Sequence, residues 1–194
     1  MDAGVALFAE KGFRETTVGD VEAAVGLSPR RGALYRHFPS KEALLQAALE
    51  HHLQTIATAG LDLDQTPVVD PRAEAMAVGR WLLAELDRER AIVRILEQEG
   101  DRLADLRDWF RRDLVDAGYL AVLRFARRWL GPAAESVDIE SVSVVLLGAL
   151  VNYRRSTWTF GAVPLDLDEE RFLSTWAHLC EVTTSSLSQS PGGG

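Results

Sequence analysis

The spacing of hydrophobic residues predicts that the chain is built almost wholly of α-helices. Apolar residues recur at intervals of three and four along most of its 194 residues, as they do on the buried face of a helix. The alternation of apolar and polar residues that marks a β-strand is absent over any useful length. We therefore expect an all-α fold. One clear apolar series is Leu103, Leu106, Phe110, Leu114 and Ala117.

The first fifty residues contain two short helices with recognisable ends. The first is expected to begin at Asp2 and to end at Lys11 and Gly12, because a cation followed by glycine is common at helix ends. Thr17 is the expected N-cap of the second helix. Asp20, three residues later, lies where the second partner of a capping box belongs.

A turn and a short third helix are predicted next. Residues 26–28 (Gly-Leu-Ser) form the turn, and two short helices joined by a tight glycine turn make a helix-turn-helix, whose second helix can enter the major groove of DNA. Ser40 is expected to cap the helix that follows. We thus expect a compact three-helix head fused to a connecting helix. The second helix is expected to bury Val18, Val21 and Val25.

A larger helical domain is predicted after the head. The expected division is residues 1–50 for the helix-turn-helix domain and residues 51–194 for a helical bundle that binds a ligand and dimerises. Residues 62–70 are the expected linker. Asp70 followed by Pro71 predicts the restart of a helix, because aspartate is a favoured N-cap and proline a favoured first helical residue.

The larger domain is predicted to hold long helices. Helical periodicity continues almost to Trp129, with expected breaks near Asp87 and Gly100. The segment of about residues 137–160 is apolar nearly all round in its first half, so we expect it to be buried on more than one side. A last helix is expected over about residues 168–187. Its expected stripe is Phe172, Trp176, Leu179 and Thr183.

Positive charge is concentrated near the predicted turn. The chain carries a net charge of −8, which argues against a protein that coats nucleic acid over its whole surface. Residues 28–41 nevertheless hold four basic side chains and no acidic one. Because phosphate neutralisation is local, duplex DNA needs only such a local basic footprint.

Composition excludes several other classes of protein. The single cysteine, Cys180, forms no intramolecular disulfide, and the four histidines show no metal-ligand spacing, so we expect neither a metal nor a cofactor. The longest apolar run, residues 142–151, is too short for a membrane-spanning helix, which takes about 20 residues. No signal-peptide pattern opens the chain. We expect a cytoplasmic protein that does not bind membranes.

An enzyme is not expected. Catalysis would need a nucleophile with a base, paired carboxylates in a cleft or a metal set, and no glycine-rich phosphate loop, HExxH or GxSxG motif occurs. Glu97, Glu99 and Asp101 form an acidic cluster, which is typical of a solvated helix end.

The short helix after the turn carries groups suited to DNA. The arginines lie at its predicted start, where base edges are reached, and the small residues beside them allow close approach. The hydroxyl, imidazole and ammonium groups at its end and just beyond suit phosphates. Two alternatives stay open: the arginines are solvated surface, or Tyr35 only covers the core. The candidate contacts are Arg30, Arg31, Gly32, Ala33, Tyr35, His37 and Lys41.

A longer motif runs through the whole head. It reads F-x-x-x-G-[FY]-x-x-T-[ST], then a helix, G-[VL]-S, a short helix ending L-Y-x-[HY]-F, and K-E-x-L. Its members here are Phe8, Gly12, Phe13, Thr16, Thr17, Gly26, Leu27, Ser28, Leu34, Tyr35, His37, Phe38, Lys41, Glu42 and Leu44. With these residues the chain resembles TetR-family transcriptional regulators. The resemblance covers about the first fifty residues; beyond them only the length and the all-helical plan are similar.

The resemblance implies a ligand-responsive homodimer that represses transcription. In such proteins the last two helices of each subunit pair into a four-helix bundle. The larger domain holds a pocket for a small-molecule effector, which releases a palindromic DNA operator when it binds. Carried onto matching positions, the resemblance implies that residues 31–33 face bases. It implies phosphate contacts by Thr17, Tyr35, His37 and Lys41.

Two features depart from the family's pattern. The spacing from the turn serine to the tyrosine is two residues longer than usual, and Pro29 with Arg30 is the apparent insertion. This leaves open where the recognition helix starts and which arginine reads bases. The chain also starts inside the first helix, where the family usually has several more residues, often basic. Either this protein lacks that arm or its start lies upstream.

The effector site is predicted from few residues. Trp81 and Trp109 lie on helices that line the pocket in similar proteins, and Asn152 follows a buried apolar run. Core packing or a dimer interface is the alternative for each tryptophan, and an exposed surface is the alternative for Asn152. A different function also stays open, namely a small-molecule sensor or protein-interaction module without effective DNA binding.

Overall fold

The computed structural model of the chain describes residues 2–26, 36–51, 54 and 70–188. These residues are helical or lie in turns and short connections, with no β-strand among them, so the all-α prediction is confirmed. They form two compact units. The first unit comprises the described residues of Met1–Leu61 and of Glu89–Asp116, and the second those of Asp62–Arg88 and Ala117–Gly194.

The first unit opens with helices whose ends match the predictions. Gly12 follows the first helix with a φ of +96°, a left-handed backbone that favours glycine. Ser40 caps the helix of residues 41–51, because its Oγ accepts the N–H of Ala43 at 3.1 Å. The described helices of this stretch are α1 (Asp2–Lys11), α2 (Val18–Ala24) and α3 (residues 41–51).

The core of the first unit draws on both of its sequence segments. Val18 and Val21 are buried as predicted, whereas Val25 is 42% exposed. Val25 is the C-cap residue of α2, with φ −96° and ψ 12°, so it has left the helical geometry that buries the other two valines. The predicted stripe is wrong at that position. The largest wholly buried apolar side chains of this core are Phe8, Leu45, Leu49 and Ile95.

A 29-residue helix, α4 (Pro71–Glu99), follows the linker. Its predicted start is confirmed, since Asp70 Oδ1 accepts the N–H of Ala73 at 3.1 Å. The predicted break near Asp87 is wrong, because α4 continues through it. The Asp87 carboxylate instead ties α4 to a later helix: it accepts the indole N–H of Trp158 at 3.2 Å and lies 3.4 Å from the guanidinium of Arg154.

The predicted break at Gly100 is confirmed and opens an irregular helical stretch. Gly100 has a φ of +36° and begins a 3-10 turn over Gly100–Leu103. Helix α5 (Ala104–Phe110) then runs into a π-helical turn over Arg111–Val115. The predicted apolar series is buried in the core of the first unit at Leu103, Leu106, Phe110 and Leu114, while Ala117 is half-buried.

The second unit contains α6 (Asp116–Leu130, from Ala117 onward), α7 (Ile139–Phe160) and α8 (Glu169–Ser188). Asp138 caps α7 by accepting the N–H of Ser141 at 3.1 Å, and Gly161 ends it with a φ of +70°. The core of the unit also uses the first part of α4. Its wholly buried members are Ala75, Leu83, Leu150, Leu173 and Ala177.

Two predictions about buried faces are wrong within the single chain. Helix α7 is not buried on several sides in its first half, because Val144 and Val145 are 52% and 70% exposed. On α8, Trp176 is buried but Leu179 is 54% exposed. The buried stripe of α8 instead passes through Leu173, Trp176, Ala177 and Cys180, which follow the three- and four-residue spacing of one helix face.

Candidate nucleic-acid interface

The structure describes three of the residues predicted to contact DNA, namely Thr17, His37 and Lys41. They belong to the first unit: Thr17 precedes α2, His37 lies between α2 and α3, and Lys41 is the first residue of α3. The other predicted contacts lie outside the described residues. These are Arg30, Arg31, Gly32, Ala33 and Tyr35.

Thr17 forms the capping box that the sequence predicts at the start of α2. Its Oγ1 accepts the N–H of Asp20 at 3.2 Å and donates to Asp20 Oδ2 at 2.7 Å. The Thr17 N–H donates to the same carboxylate oxygen at 2.7 Å. The exposed Thr17 is therefore held in one orientation by three hydrogen bonds with Asp20.

The Asp20 carboxylate is held in its charged form by this box. The backbone N–H and the hydroxyl of Thr17, with Lys11 at 3.0 Å, lower the pKa of Asp20 to about 2. Hydrogen bonds to the ionised form are the main cause. The cap and the ion pair thus join the end of α1 to the start of α2.

The pKa of Asp20 predicts a pH dependence of stability. Because the folded-state pKa lies below the ordinary value of 3.8, the carboxylate stabilises the fold above about pH 4, and this contribution is lost as pH falls towards 2. Asp20→Asn is expected to lower the free energy of unfolding at pH 7, with a difference from the native chain that shrinks below pH 4. Urea titrations at several pH values measure it; a constant difference would contradict this origin.

Lys41 makes the most extensive contacts of the three residues. Its ammonium donates to the carbonyl oxygens of Phe13 at 2.6 Å, Arg14 at 3.2 Å and Thr16 at 2.9 Å. It also lies 4.9 Å from the centre of the Phe13 ring, within the range of a cation–π contact. Lys41 therefore satisfies the carbonyls of the loop that leads to Thr17.

The remaining basic groups of this region face solvent. His37 and Arg36 are exposed, and the imidazole lies 6.5 Å from the ring of Phe38. Lys11 and Arg14, whose side chains are 45% and 67% exposed, were not predicted as DNA contacts. The sequence does show that both are basic and lie within six residues of Thr17.

A cavity of about 500 Å³ lies within the first unit, between the start of α3 and the irregular stretch around α5. The half-buried Trp109, a predicted ligand residue, lines it. Trp81 is half-buried against the core of the second unit, and Asn152 is exposed. The predicted ligand residues thus lie in different surroundings.

The His, Cys, Asp and Glu side chains of the described part of the chain form no group of three or more that could hold a metal ion. None of its helices is long and apolar enough to cross a membrane.

Comparison with known proteins shows which family the head matches. Residues 1–48 match the sequence model of bacterial regulatory proteins of the tetR family. This stretch contains the capping box, the Lys41 contacts and the basic segment after the turn.

Individual relatives match over part of their length. The chain is 47% identical over 49 residues to an uncharacterized HTH-type transcriptional regulator, YerO of Bacillus subtilis, covering 25% of this chain and 16% of YerO. It is 39% identical over 103 residues to the HTH-type transcriptional repressor KstR2 of Rhodococcus jostii, covering 53% and 49% of the two chains. The matches thus span half or less of either relative.

One solved structure has the same fold along nearly the whole chain. The TetR-family transcriptional regulator PfmR from Thermus thermophilus superposes with a TM-score of 0.59, covering 95% of this chain and 96% of PfmR. Its sequence identity is 21%, so this likeness concerns the fold.

Proposed function

We propose that the chain is a tetR-family transcriptional repressor released from a palindromic operator by a small molecule, because its first 48 residues match the sequence model of that family. Regulators of this family act by binding DNA and are not enzymes. The match of the head carries the proposal. The capping box at Thr17 and the exposed basic groups beside it support it.

The proposed DNA surface is the segment after the turn with its two flanks. Residues 30–33 contact bases, with Arg31 in the leading role, and phosphates are bound by residues around them. The exposure of His37 supports this assignment. Lys41 contributes as well, although its ammonium already holds three carbonyls in the absence of DNA. The proposed phosphate contacts are Thr17, Tyr35, His37 and Lys41.

The experiment for this proposal is a salt series. Binding of the full chain to a random-sequence DNA duplex is measured by fluorescence anisotropy at increasing salt. If the basic segment contacts phosphates, the logarithm of the binding constant falls linearly with the logarithm of the salt concentration. The slope of this line is about −0.9 for each phosphate contact. A folded protein without such binding would instead favour the alternative, a sensor or protein-interaction module that does not bind DNA.

Arg31→Ala is expected to relax base preference. A guanidinium that reads a base edge provides about 1–3 kcal/mol of discrimination, whereas a phosphate contact weakens all sequences alike when it is lost. The affinities of the variant for operator and scrambled duplex should therefore approach each other. Tyr35→Phe is the comparison, because it is expected to weaken both duplexes equally. If Arg31→Ala kept the base preference of the native chain, this would contradict the role of Arg31 in reading a base edge.

We propose that the last two helices, α7 and α8, form a homodimer interface. Exposed aliphatic side chains on both helices support this: Val144 and Val145 on α7, and Leu179 and Val182 on α8. The two helices are neighbours, since the indole of Trp176 donates to the carbonyl of Leu146 at 2.9 Å. Exposed apolar side chains grouped on neighbouring helices commonly mark a protein interface.

The effector site is a further part of the proposal. Trp109 is its best-supported residue, because it lines the cavity of the first unit, whereas the other predicted ligand residues, Trp81 and Asn152, belong to the second unit. Trp81 lies in the second unit beside a large apolar core. Cavities of this size are usual sites for small ligands.

A further inference from the structure

We propose that the cavity of the first unit binds an amphoteric small molecule, with an aromatic or other apolar body and both a cationic and an anionic group. This inference deepens the proposed function, because it gives the chemical class of an effector and places it in the unit that carries the DNA-binding segment. The cavity of about 500 Å³ falls within the range that holds small ligands, roughly 300–1,000 Å³.

The floor of the cavity is apolar. Leu103 and Leu106 are buried there, and the half-buried indole of Trp109 lies beside them. An indole face binds flat apolar groups and also attracts cations. The floor therefore suits the body of an aromatic ligand.

The rim of the cavity carries charges of both signs. Arg102 and Arg112 are exposed on one segment of the lining, and Glu42, Asp101 and Asp105 are exposed as well. Asp101 lies 3.9 Å from Arg107, whereas within the described part of the chain Arg102, Arg112, Glu42 and Asp105 have no hydrogen-bond or ion-pair partner. Two free guanidinium groups and two free carboxylates fit a ligand with one anionic and one cationic group. A ligand with a single charge would also lie close to side chains of the same charge, which repel it.

The backbone around the cavity is unusual. Arg102 lies in the 3-10 turn of Gly100–Leu103, and Arg112 lies in the π-helical turn of Arg111–Val115. π-helical turns are rare and occur frequently at functional sites. Both departures from α-helical geometry therefore carry an arginine of the cavity lining.

The position of Glu42 gives the site a route to the DNA-binding segment. Glu42 follows Lys41, whose ammonium holds the loop before Thr17. A ligand bound to Glu42 acts on the first turn of α3, and thus on the residue that fixes the start of α2.

The test uses three probes with a common phenyl skeleton: L-phenylalanine, phenethylamine and 3-phenylpropanoate. Calorimetric titration of the full chain without DNA is expected to give at least about tenfold tighter binding of L-phenylalanine than of either singly charged probe, which corresponds to one charge-assisted hydrogen bond. In Arg112→Gln the affinity for L-phenylalanine should fall close to the affinity for phenethylamine. In Glu42→Gln it should fall close to the affinity for 3-phenylpropanoate.

Two control variants come from the same unit. Arg94→Gln and Glu10→Gln change exposed residues that do not line the cavity, and they should leave all three affinities unchanged. Equal affinity for the three probes, no binding of any of them, or equal losses in the control variants would overturn the proposal. Because DNA is absent from the titration, failure of this site and failure of the DNA-binding proposal are separate results.

Discussion

The double substitution Val144→Asp with Val145→Asp is expected to turn a dimer into a folded monomer and to weaken operator binding by about 10²–10⁴-fold. Both side chains are more than half exposed in the single chain, so carboxylates there cost little in the monomer. In a four-helix interface they would be buried without partners, which is strongly unfavourable. Loss of the dimer removes the gain from binding two half-sites at once.

Light scattering after gel filtration gives the mass, and circular dichroism gives the helix content. Leu165→Asp is the control, because Leu165 is 98% exposed and lies in the loop between α7 and α8, outside both proposed interface helices. We expect the control to remain dimeric. A double variant that stays dimeric at all concentrations would show that α7 does not provide the interface.

Lys41→Met is expected to lower the free energy of unfolding by about 2–3 kcal/mol in the absence of DNA. The substitution removes an ammonium that serves three carbonyl oxygens, and hydrogen bonds to charged groups are each worth about 1.5–3 kcal/mol when partly shielded from water. The affected carbonyls belong to Phe13, Arg14 and Thr16, so the loop before Thr17 loses its main support.

Chemical unfolding of the native chain and the variant measures this effect. Lys11→Met is the control, because it removes one exposed ion pair with Asp20 and should cost much less. If Lys41 served only as a phosphate contact, its substitution would weaken DNA binding and leave the free energy of unfolding unchanged. That outcome would contradict the role that its contacts indicate.

Local features of the head could be predicted from the sequence, because they depend on residues a few positions apart. The Thr17–Asp20 box, the Gly12 end of α1 and the Ser40 cap are of this kind. The contacts of Lys41 could not, since its carbonyl partners lie 25 to 28 residues away. The position of Lys41 in the family motif predicted a phosphate contact. It did not indicate that the ammonium also supports the loop before Thr17.

Side-chain burial in the body was harder to predict. Helical periodicity identified α7, but not which apolar residues face the core of a single chain, so Val144 and Val145 were expected to be buried. A helix break was predicted near Asp87 because the local sequence gives no sign of the contacts that its carboxylate makes with Trp158 and Arg154. Of the residues that line the cavity, only Trp109 was predicted as a ligand residue. Arg102 and Arg112 lie in a 3-10 turn and a π-helical turn, which helical periodicity does not predict.

The purified full chain should select its operator from a random library of DNA sequences. We expect enrichment of a palindromic or near-palindromic sequence whose half-site centres lie about 34–36 Å apart or at a multiple of that distance, since two-fold related heads enter successive major grooves. A folded, dimeric protein that enriches no sequence would contradict the claim that this chain is a DNA-binding regulator.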